Sequence, residues 1–249
     1  MEALNDFVSE IKEIVANNTV FAENSTPDGI QCVWKNVFRS KDIIFNIMKA
    51  TRLPKDERCF VTLLMLTNVL TDVINAALAI CQGFWRGPGI ILRGAWEDMA
   101  CAIVIKNDSD KYHRFKNGKF PATEAITPAK EIFPEFGEHY GLSSKVYAHT
   151  EYDFIGRCNF RTEKGDRVVL TPTVDSTRSL YVPLLQCALI ARYVGAIAEL
   201  CSVGLIDEFY YWRKMADDSL ITYHDTEEDD LIKNLEKKAT KLLESEGQS

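Results

Sequence analysis

The sequence predicts an all-α helical bundle with a small β-hairpin insertion near residues 156–172. Two observations indicate the helical class: apolar residues recur every three or four positions over most of the chain, and short turn sequences such as NSTPDG and RGPG separate these stretches. With 249 residues, 46% of them hydrophobic, the chain can bury a sizeable core. We expect one bundle domain over residues 1–224, followed by a charged helix or tail over residues 225–249.

Two amphipathic helices are predicted in the first fifty residues. Apolar side chains follow helical spacing over residues 4–15 and again over residues 30–48. Between them Pro27 suits a first helical position, because proline has no N–H to leave unsatisfied there. The sequence RLPKDE then ends the second helix at Pro54.

The rest of the chain is also mainly helical in prediction. A long apolar helix runs from about Glu57 to Gln82, RGPG turns the chain, and Pro88 opens the next helix. Shorter helices and loops are expected over residues 106–134, a brief helix over LSSKVYAH, and helices again from about residue 179 to 203. GRCNFRTEKGDRVVLTP is the segment that suggests a hairpin, because two short runs flank Lys164 and Gly165.

The composition narrows the possible functions. A net charge of −7 argues against nonspecific nucleic-acid binding by the whole surface. The seven cysteines are odd in number and include no C-x-x-C pair, which favours a cytoplasmic location. The acidic amino terminus MEALNDFVSEIK is unlike a signal peptide. Asp72, Arg192 and Glu199 interrupt the two most apolar segments, so no membrane association is expected.

An opposite-charge pair stands out on an otherwise apolar helix. Arg93 and Glu97 are four residues apart in GIILRGAWEDMACAIVI and therefore share a helix face. The preceding helix carries its own polar face, formed by Asn68, Thr71, Asp72 and Asn75. Because a short turn makes the two helices antiparallel neighbours, we expect these polar faces to meet inside the bundle, joined by Arg192 and Glu199.

This buried polar layer has two interpretations. It could fix the register of the helices, or it could line a central pocket that binds a small ligand or nucleotide. In either case the removal of one partner, as in Arg93→Met, should cost about 3–5 kcal/mol, because a charge would be left buried without its partner.

A second candidate segment is HYGLSSKVYAHT, which holds Ser143, Lys145 and His149. A histidine can act as a general base near neutral pH, although a histidine at a helix end is more often a cap or a packed residue. Together with the Arg-x3-Glu helix, the Leu-Ser segment ending in His149 resembles a group of uncharacterised prokaryotic helical proteins. It also loosely resembles the HEPN superfamily of helical bundles, which includes ribonucleases and defence components.

The resemblance implies a function and a set of residues. It favours an interaction or regulatory protein, linked to prokaryotic defence, with a metal-independent endoribonuclease as the alternative. In the nuclease, His149 would be the base and Arg93 or Lys145 would stabilise phosphate charge, and Glu97 is a further catalytic candidate. The polar layer and the Leu-Ser segment supply the candidate ligand-binding residues Asp72, Asn75, Ser143 and Lys145. However, the HEPN pattern places an Arg and a His on one helix with four to six residues between them, and this chain has no such pair.

Other candidate sites have simpler explanations. DKYHRFKNGKF gathers Lys111, His113, Arg114, Lys116 and Lys119 around aromatic residues, which could contact phosphates or stack on bases, but a solvated helix is the commoner explanation. The four histidines show no metal-ligand spacing, so we expect no metal and no cofactor. An apolar face left over on the bundle would favour a homodimer, and RNA or a small ligand is the other partner considered.

Overall fold

The computed structural model describes residues 2–50, 57–84, 86–134, 136–144, 160–161, 167–168 and 177–206. In this part of the chain the helices are, in order, α1 (Glu2–Ser25), α2 (Pro27–Ala50), α3 (Glu57–Cys81), α4 (Arg86–Asn107), α5 (Ser109–Lys116), α6 (Ala122–Ile132), α7 (Phe136–Ser143) and α8 (Thr177–Ile206). The all-α class predicted from the apolar spacing is therefore confirmed.

Four long helices, α2, α3, α4 and α8, form the core of the bundle. The helices α3 and α4 are antiparallel neighbours, and the Thr62 hydroxyl near the start of α3 donates to the carbonyl of Ala102 near the end of α4 at 3.5 Å. The helices α2 and α8 make another extensive interface, in which the Ser40 hydroxyl donates to the Ala191 carbonyl at 2.6 Å. Helix α1 packs at the edge, against α2, α3 and α8.

Helix α4 occupies the centre of the fold. Six consecutive residues, 100–105, are buried, so this half of the helix is covered on all sides. The helices α3 and α8 cover it on one part of its circumference, and α6 and α7 pack against the rest. A helix whose side chains are apolar on all sides is typical of such a central position, and this explains the apolar residues around Arg93 and Glu97.

The turns follow the expected chemistry, with one correction. Thr26 links α1 to α2 by donating its hydroxyl to the Ala22 carbonyl at 2.9 Å, and Pro27 begins α2 as predicted. At the end of α3, Gly83 adopts a φ of 88°, a left-handed conformation that favours glycine. The sequence RGPG does not turn the chain. It forms the first turn of α4, because Gly83 has already reversed the direction of the backbone.

The first short helix after α4 is capped by a polar side chain. Asp108 accepts hydrogen bonds from the backbone N–H groups of Asp110 and Lys111, both at 3.0 Å, and so caps α5. Gly118, with a φ of 67°, ends that helix. The prediction of shorter helices over residues 106–134 is confirmed by α5 and α6.

Helix α7 covers Phe136–Ser143 and begins before the segment LSSKVYAH, in which we expected a brief helix. Most of LSSKVYAH lies outside the described residues, so the helix expected there stays a prediction. Phe136 is fully buried and anchors the start of α7. Helix α7 matters for the candidate site, because it holds His139 and Tyr140.

The region of the predicted hairpin is described only at two short segments. Phe160–Arg161 pairs antiparallel with Arg167–Val168, with Phe160 opposite Val168. Two residues on each side amount to a small ladder, and the remainder of residues 156–172 lies outside the described residues, so the hairpin insertion stays a prediction. The predicted tail, residues 225–249, also lies outside them.

Among the residues that the structure describes, two helices are long and apolar enough to cross a membrane by length and composition alone, namely Glu57–Cys81 and residues 180–199 of α8. Both contribute buried side chains to the core, as a core helix of a bundle would. The cytoplasmic location remains a prediction.

Candidate functional site: the junction of α4 and α7

A hydrogen-bonded group of three polar side chains lies where α7 packs on α4. The Arg93 Nε–H donates to Glu97 Oε1 at 3.2 Å, and the Tyr140 hydroxyl donates to the same carboxylate oxygen at 3.0 Å. The Arg93 Nη2 lies 3.5 Å from the Tyr140 hydroxyl, and its guanidinium carbon is 5.8 Å from the centre of the tyrosine ring. We call Arg93, Glu97 and Tyr140 the polar triad.

A cluster of aromatic rings lies beside the polar triad and is called here the aromatic floor. Its centre is Trp96, which is fully buried. The His139 ring stacks on the indole with 5.4 Å between ring centres and 11° between planes, and Phe136 meets it edge-on at 4.8 Å. The centre of the Tyr193 ring, on α8, lies 5.5 Å from the centre of the Trp96 ring. The floor therefore joins α4, α7 and α8.

Matched spacing on two helices builds this junction. On α4, Trp96 and Glu97 follow Arg93 by three and four residues, so all three side chains project from one face. On α7, His139 and Tyr140 follow Phe136 by the same three and four residues. When these two faces meet, the aromatic residues pack inward and the polar residues lie at the rim.

The rim is partly open to solvent. The side chains of Arg93 and Glu97 retain 33% and 20% of their exposure, and His139 and Tyr140 are half-buried. Burial, the largest influence, together with the hydrogen bond to Glu97, raises the pKa of Tyr140, so its hydroxyl stays protonated and keeps donating. For Arg93, burial lowers the pKa but Tyr140 and Glu97 outweigh it, so the net shift is upward and the guanidinium stays charged.

Carboxylates lie on the side of α4 that faces α3. Burial raises the pKa of Asp98, and the nearby charges of Asp72 and Glu97 raise it further. Burial also raises the pKa of Asp72. The Cys101 thiol, buried one turn beyond Asp98, has its pKa raised to about 12 by burial and by these carboxylates, so it is protonated at neutral pH.

Buried polar atoms mark the inner end of the junction. The Ser143 hydroxyl, at the end of α7, donates to Gln186 Oε1 of α8 at 3.4 Å, and both side chains are buried. Within the described ranges, the indole Nε1 of Trp96 and the amide Nε2 of Gln186 are buried and have no hydrogen-bond partner. Each such donor costs roughly 1–3 kcal/mol of lost hydration.

The structure places the predicted site residues in different locations. Arg93 and Glu97 are together, as expected, and Ser143 lies on the same short helix as Tyr140. Asp72 is half-buried on α3 beside Asp98. Asn75 is exposed to solvent on the same helix.

The prediction that the polar face of α3 lies inside the bundle is wrong. Asn68 and Thr71 are exposed, as Asn75 is, and they form the solvent stripe of an amphipathic helix. Arg93 instead finds its hydroxyl partner on α7, a helix that the sequence pattern did not link to α4.

Glu199, which we expected in the same layer, has its charged neighbour on α2 instead, and the place of Arg192 in the layer stays a prediction. Glu199 is buried near Arg39 of α2, and Arg192 is half-buried. Desolvation raises the pKa of Glu199 to about 7, although the positive charge of Arg39 lowers it. Lys145 and His149 lie outside the described residues, so their distance from Arg93 is not defined.

In the basic segment, three of the cations, all on the solvated helix α5, are paired with carboxylates. Arg114 binds Glu124 at 3.0 Å, Lys116 binds Glu57 at 2.7 Å, and Lys111 lies 3.4 Å from Asp108. Among the described residues, no group of three His, Cys, Asp or Glu side chains is placed to hold a metal ion.

Sequence reasoning missed several residues of the junction. His139, Trp96 and Tyr193 were not linked to one another, because they come from three helices and no local pattern reveals which faces meet. The repeated spacing of three and four residues on α4 and α7 shows only that the residues of each helix share a face.

The fold and the junction define an all-α bundle with a polar triad at the rim of an aromatic floor. Comparison with protein-family models, curated proteins and solved structures finds no match to this chain. The resemblance to HEPN proteins and the link to prokaryotic defence therefore stay hypotheses drawn from short sequence patterns.

Proposed function

We propose that this protein is a regulatory or interaction bundle that binds a small planar anion, such as a nucleotide, at the junction of α4 and α7. The observation that carries the proposal is the neighbouring position of a charged, partly exposed Arg93 and a half-buried His139 ring that stacks on Trp96. A nucleotide needs both a cation for its phosphate and an aromatic surface for its base.

Arg93 suits the phosphate half of such a ligand. A guanidinium has five N–H donors, and the bonds to Glu97 and Tyr140 use two of them. The bond to Glu97 holds the guanidinium in place before a ligand arrives, which lowers the entropy lost on binding. A third of the Arg93 side chain is exposed, so donors remain for a phosphate oxygen.

The aromatic floor suits the base half. The inner face of the His139 ring is held by Trp96, and the ring is packed near Tyr193 at 6.4 Å. His139 is half-buried, so part of the residue reaches solvent at the rim of the junction. Base–aromatic stacking contributes roughly 1–3 kcal/mol per base.

Ligand-induced thermal stabilisation tests the proposal. Purified protein is melted with a panel of purine and pyrimidine mono-, di- and triphosphates, in the wild type and in Arg93→Met. We expect at least one nucleotide to raise the melting temperature of the wild type, because a ligand that binds only the native state stabilises it. The shift should disappear in Arg93→Met.

Arg114→Met is the matched control. Arg114 is also an ion-paired arginine, bound to Glu124 at 3.0 Å, but it lies on α5 and is not part of the junction. It should retain the full ligand shift. The proposal is contradicted if no nucleotide shifts the wild type at millimolar concentration, or if Arg93→Met responds as the wild type does.

A metal-independent endoribonuclease is the second candidate, and one feature favours it. His139 stacks on Trp96, which follows Arg93 by three residues, so a possible base and a cation for phosphate belong to the same junction. The base would then be His139 in place of the His149 that the sequence pattern suggested.

RNA cleavage in the presence of EDTA separates these two histidines. If the junction is catalytic, His139→Ala and Arg93→Met should each lose cleavage, whereas His149→Ala should keep it. Loss of cleavage only in His149→Ala would support the original assignment. Absence of cleavage by the wild type would leave the binding proposal standing and remove the enzyme.

A further inference from the structure

A stripe of aromatic residues lies on the solvent side of α2. Trp34, Phe38 and Phe45 keep 37%, 63% and 59% of their exposure, respectively. At 100° per residue they fall within about 40° of one another around the helix, and they span about 17 Å along it. We call these three residues the α2 stripe.

The interior of the bundle does not explain the stripe. The buried residues of α2, among them Val33, Ile43 and Ile47, lie on the opposite side of the helix, where α8 and α3 cover them. The solvent face of an amphipathic helix is normally polar, and scattered single apolar residues are common there. Three aromatic side chains aligned on one face, with Lys41 between Phe38 and Phe45, are more than scattered single residues and indicate an interface.

We propose that a second copy of this chain docks on the α2 stripe, so that two α2 helices cross antiparallel about a twofold axis. In a twofold interface, contacts occur twice: if one residue contacts a second residue of the copy, that second residue contacts the first residue of the copy. If the axis passes between residues 39 and 40, Trp34 faces Phe45 of the copy and Phe38 faces Lys41 of the copy. The spacing of the stripe is therefore self-complementary.

The charges on α2 favour the antiparallel arrangement. The Lys41 ammonium already lies 5.9 Å from the Phe38 ring of its own chain, and in the dimer it would meet a second aromatic face. Asp28 near the start of the helix and Lys49 near its end would approach the opposite charges of the copy.

The area of the stripe sets the expected strength. With about 150–250 Å² per aromatic side chain, the exposed fractions leave roughly 300 Å² per copy, or about 600 Å² for the pair. A standard interface buries about 1,600 Å² in total, so the aromatic rings supply more than a third of it. The flanking polar residues must supply the remainder, and we expect a concentration-dependent dimer.

Sedimentation velocity of the full chain over a wide range of protein concentrations tests the proposal. Wild-type protein should shift from monomer to dimer as the concentration rises. Phe38→Lys should raise the dimer dissociation constant at least about tenfold, because the new ammonium would face Lys41 of the copy. Phe38 is largely exposed, so this change should leave the melting temperature near that of the wild type.

Leu78→Lys is the matched control. Leu78 is 47% exposed on α3, outside the stripe, and its replacement should change the dissociation constant less than about twofold. A wild type that stays monomeric, a Phe38→Lys variant that still dimerises fully, or equal losses in both variants would overturn the proposal.

A charge pair tests the register. Trp34→Lys and Phe45→Glu should each weaken the dimer alone, and the double variant should recover part of the loss, because the two changed residues would face each other across the axis. The recovery is specific to the antiparallel arrangement. A double variant that is weaker than both single variants would overturn that register.

Discussion

The replacement of Arg93 by Met should destabilise the protein by about 1 kcal/mol, well below the 3–5 kcal/mol expected of a deeply buried charge. Methionine keeps most of the apolar stem, so the change removes mainly the guanidinium. The size of the loss in stability depends on whether Glu97 and Tyr140 keep a hydrogen-bond partner once the guanidinium is gone.

The structure fixes the magnitude of this loss. The ion pair with Glu97 is separated by 3.2 Å and keeps 33% and 20% of its side-chain exposure, so solvent screens it and it contributes about 0.5–1 kcal/mol. The contact with Tyr140 at 3.5 Å is at the limit of a hydrogen bond and adds little. Glu97 is not stranded, because it still accepts the Tyr140 hydroxyl at 3.0 Å.

Urea unfolding of the wild type and of Arg93→Met at neutral pH measures the loss. For a chain of this length, about 1 kcal/mol corresponds to a shift of roughly 2–4 °C in melting temperature. Glu97→Gln and the double variant complete a mutant cycle, which should give a coupling free energy below about 1 kcal/mol. Arg114→Met, with both partners 47% exposed, should lose less than about 0.5 kcal/mol.

Two results would refute this reasoning. A loss above about 3 kcal/mol would mean that Arg93 behaves as a fully buried charge, which its exposed third excludes. No loss and no coupling would mean that the triad contributes nothing to the native state.

Three further predictions follow from the core. Trp96→Ala should lower the free energy of unfolding in urea by about 3–5 kcal/mol. Trp96→Phe should lower it clearly less, because phenylalanine keeps a ring and removes a buried N–H that has no partner in the described residues. Equal losses in the two variants would contradict this prediction. Desolvation raises the pKa of Glu199 from 4.5 to about 7, so the native state holds the proton more tightly than the unfolded chain. The contribution of Glu199 to the free energy of unfolding should therefore be fully present below about pH 4.5 and fall by up to about 3 kcal/mol as the pH rises through 7. Glu199→Gln should flatten this part of the pH profile measured by urea unfolding. Burial raises the pKa of the Cys101 thiol to about 12 and raises that of Cys187 as well, so both thiols should react slowly. After maleimide labelling near pH 8, mass spectrometry should show both cysteines unmodified in native protein and modified in urea.

The sequence predicts the helices of this fold well, because their signals are local. Pro27 marks the start of α2, and the apolar spacing from Glu57 fixes α3 to within one residue of its observed end at Cys81. Helix α7 was not predicted, because its eight residues are too few to show a clear apolar period. The buried Phe136 that begins it is recognised only once the packing is known.

The candidate site could be predicted only in part. The pairing of Arg93 with Glu97 is a property of one helix, and the spacing of four residues reveals it. The meeting of that pair with Tyr140 depends on which face α7 turns toward α4, and no local pattern contains this information. The same limit explains why Asn68 and Asn75 were placed inside the bundle: a polar stripe fits a buried layer or a solvent face equally well until the packing is known.

The most direct test of the central claim is isothermal titration of the nucleotide that stabilises the wild type most, into wild type, Arg93→Met and Arg114→Met. If the junction of α4 and α7 is the binding site, Arg93→Met should bind at least about tenfold more weakly, and Arg114→Met should bind within about twofold of the wild type. Equal affinity in all three proteins would show that the ligand binds elsewhere and would contradict the proposed site.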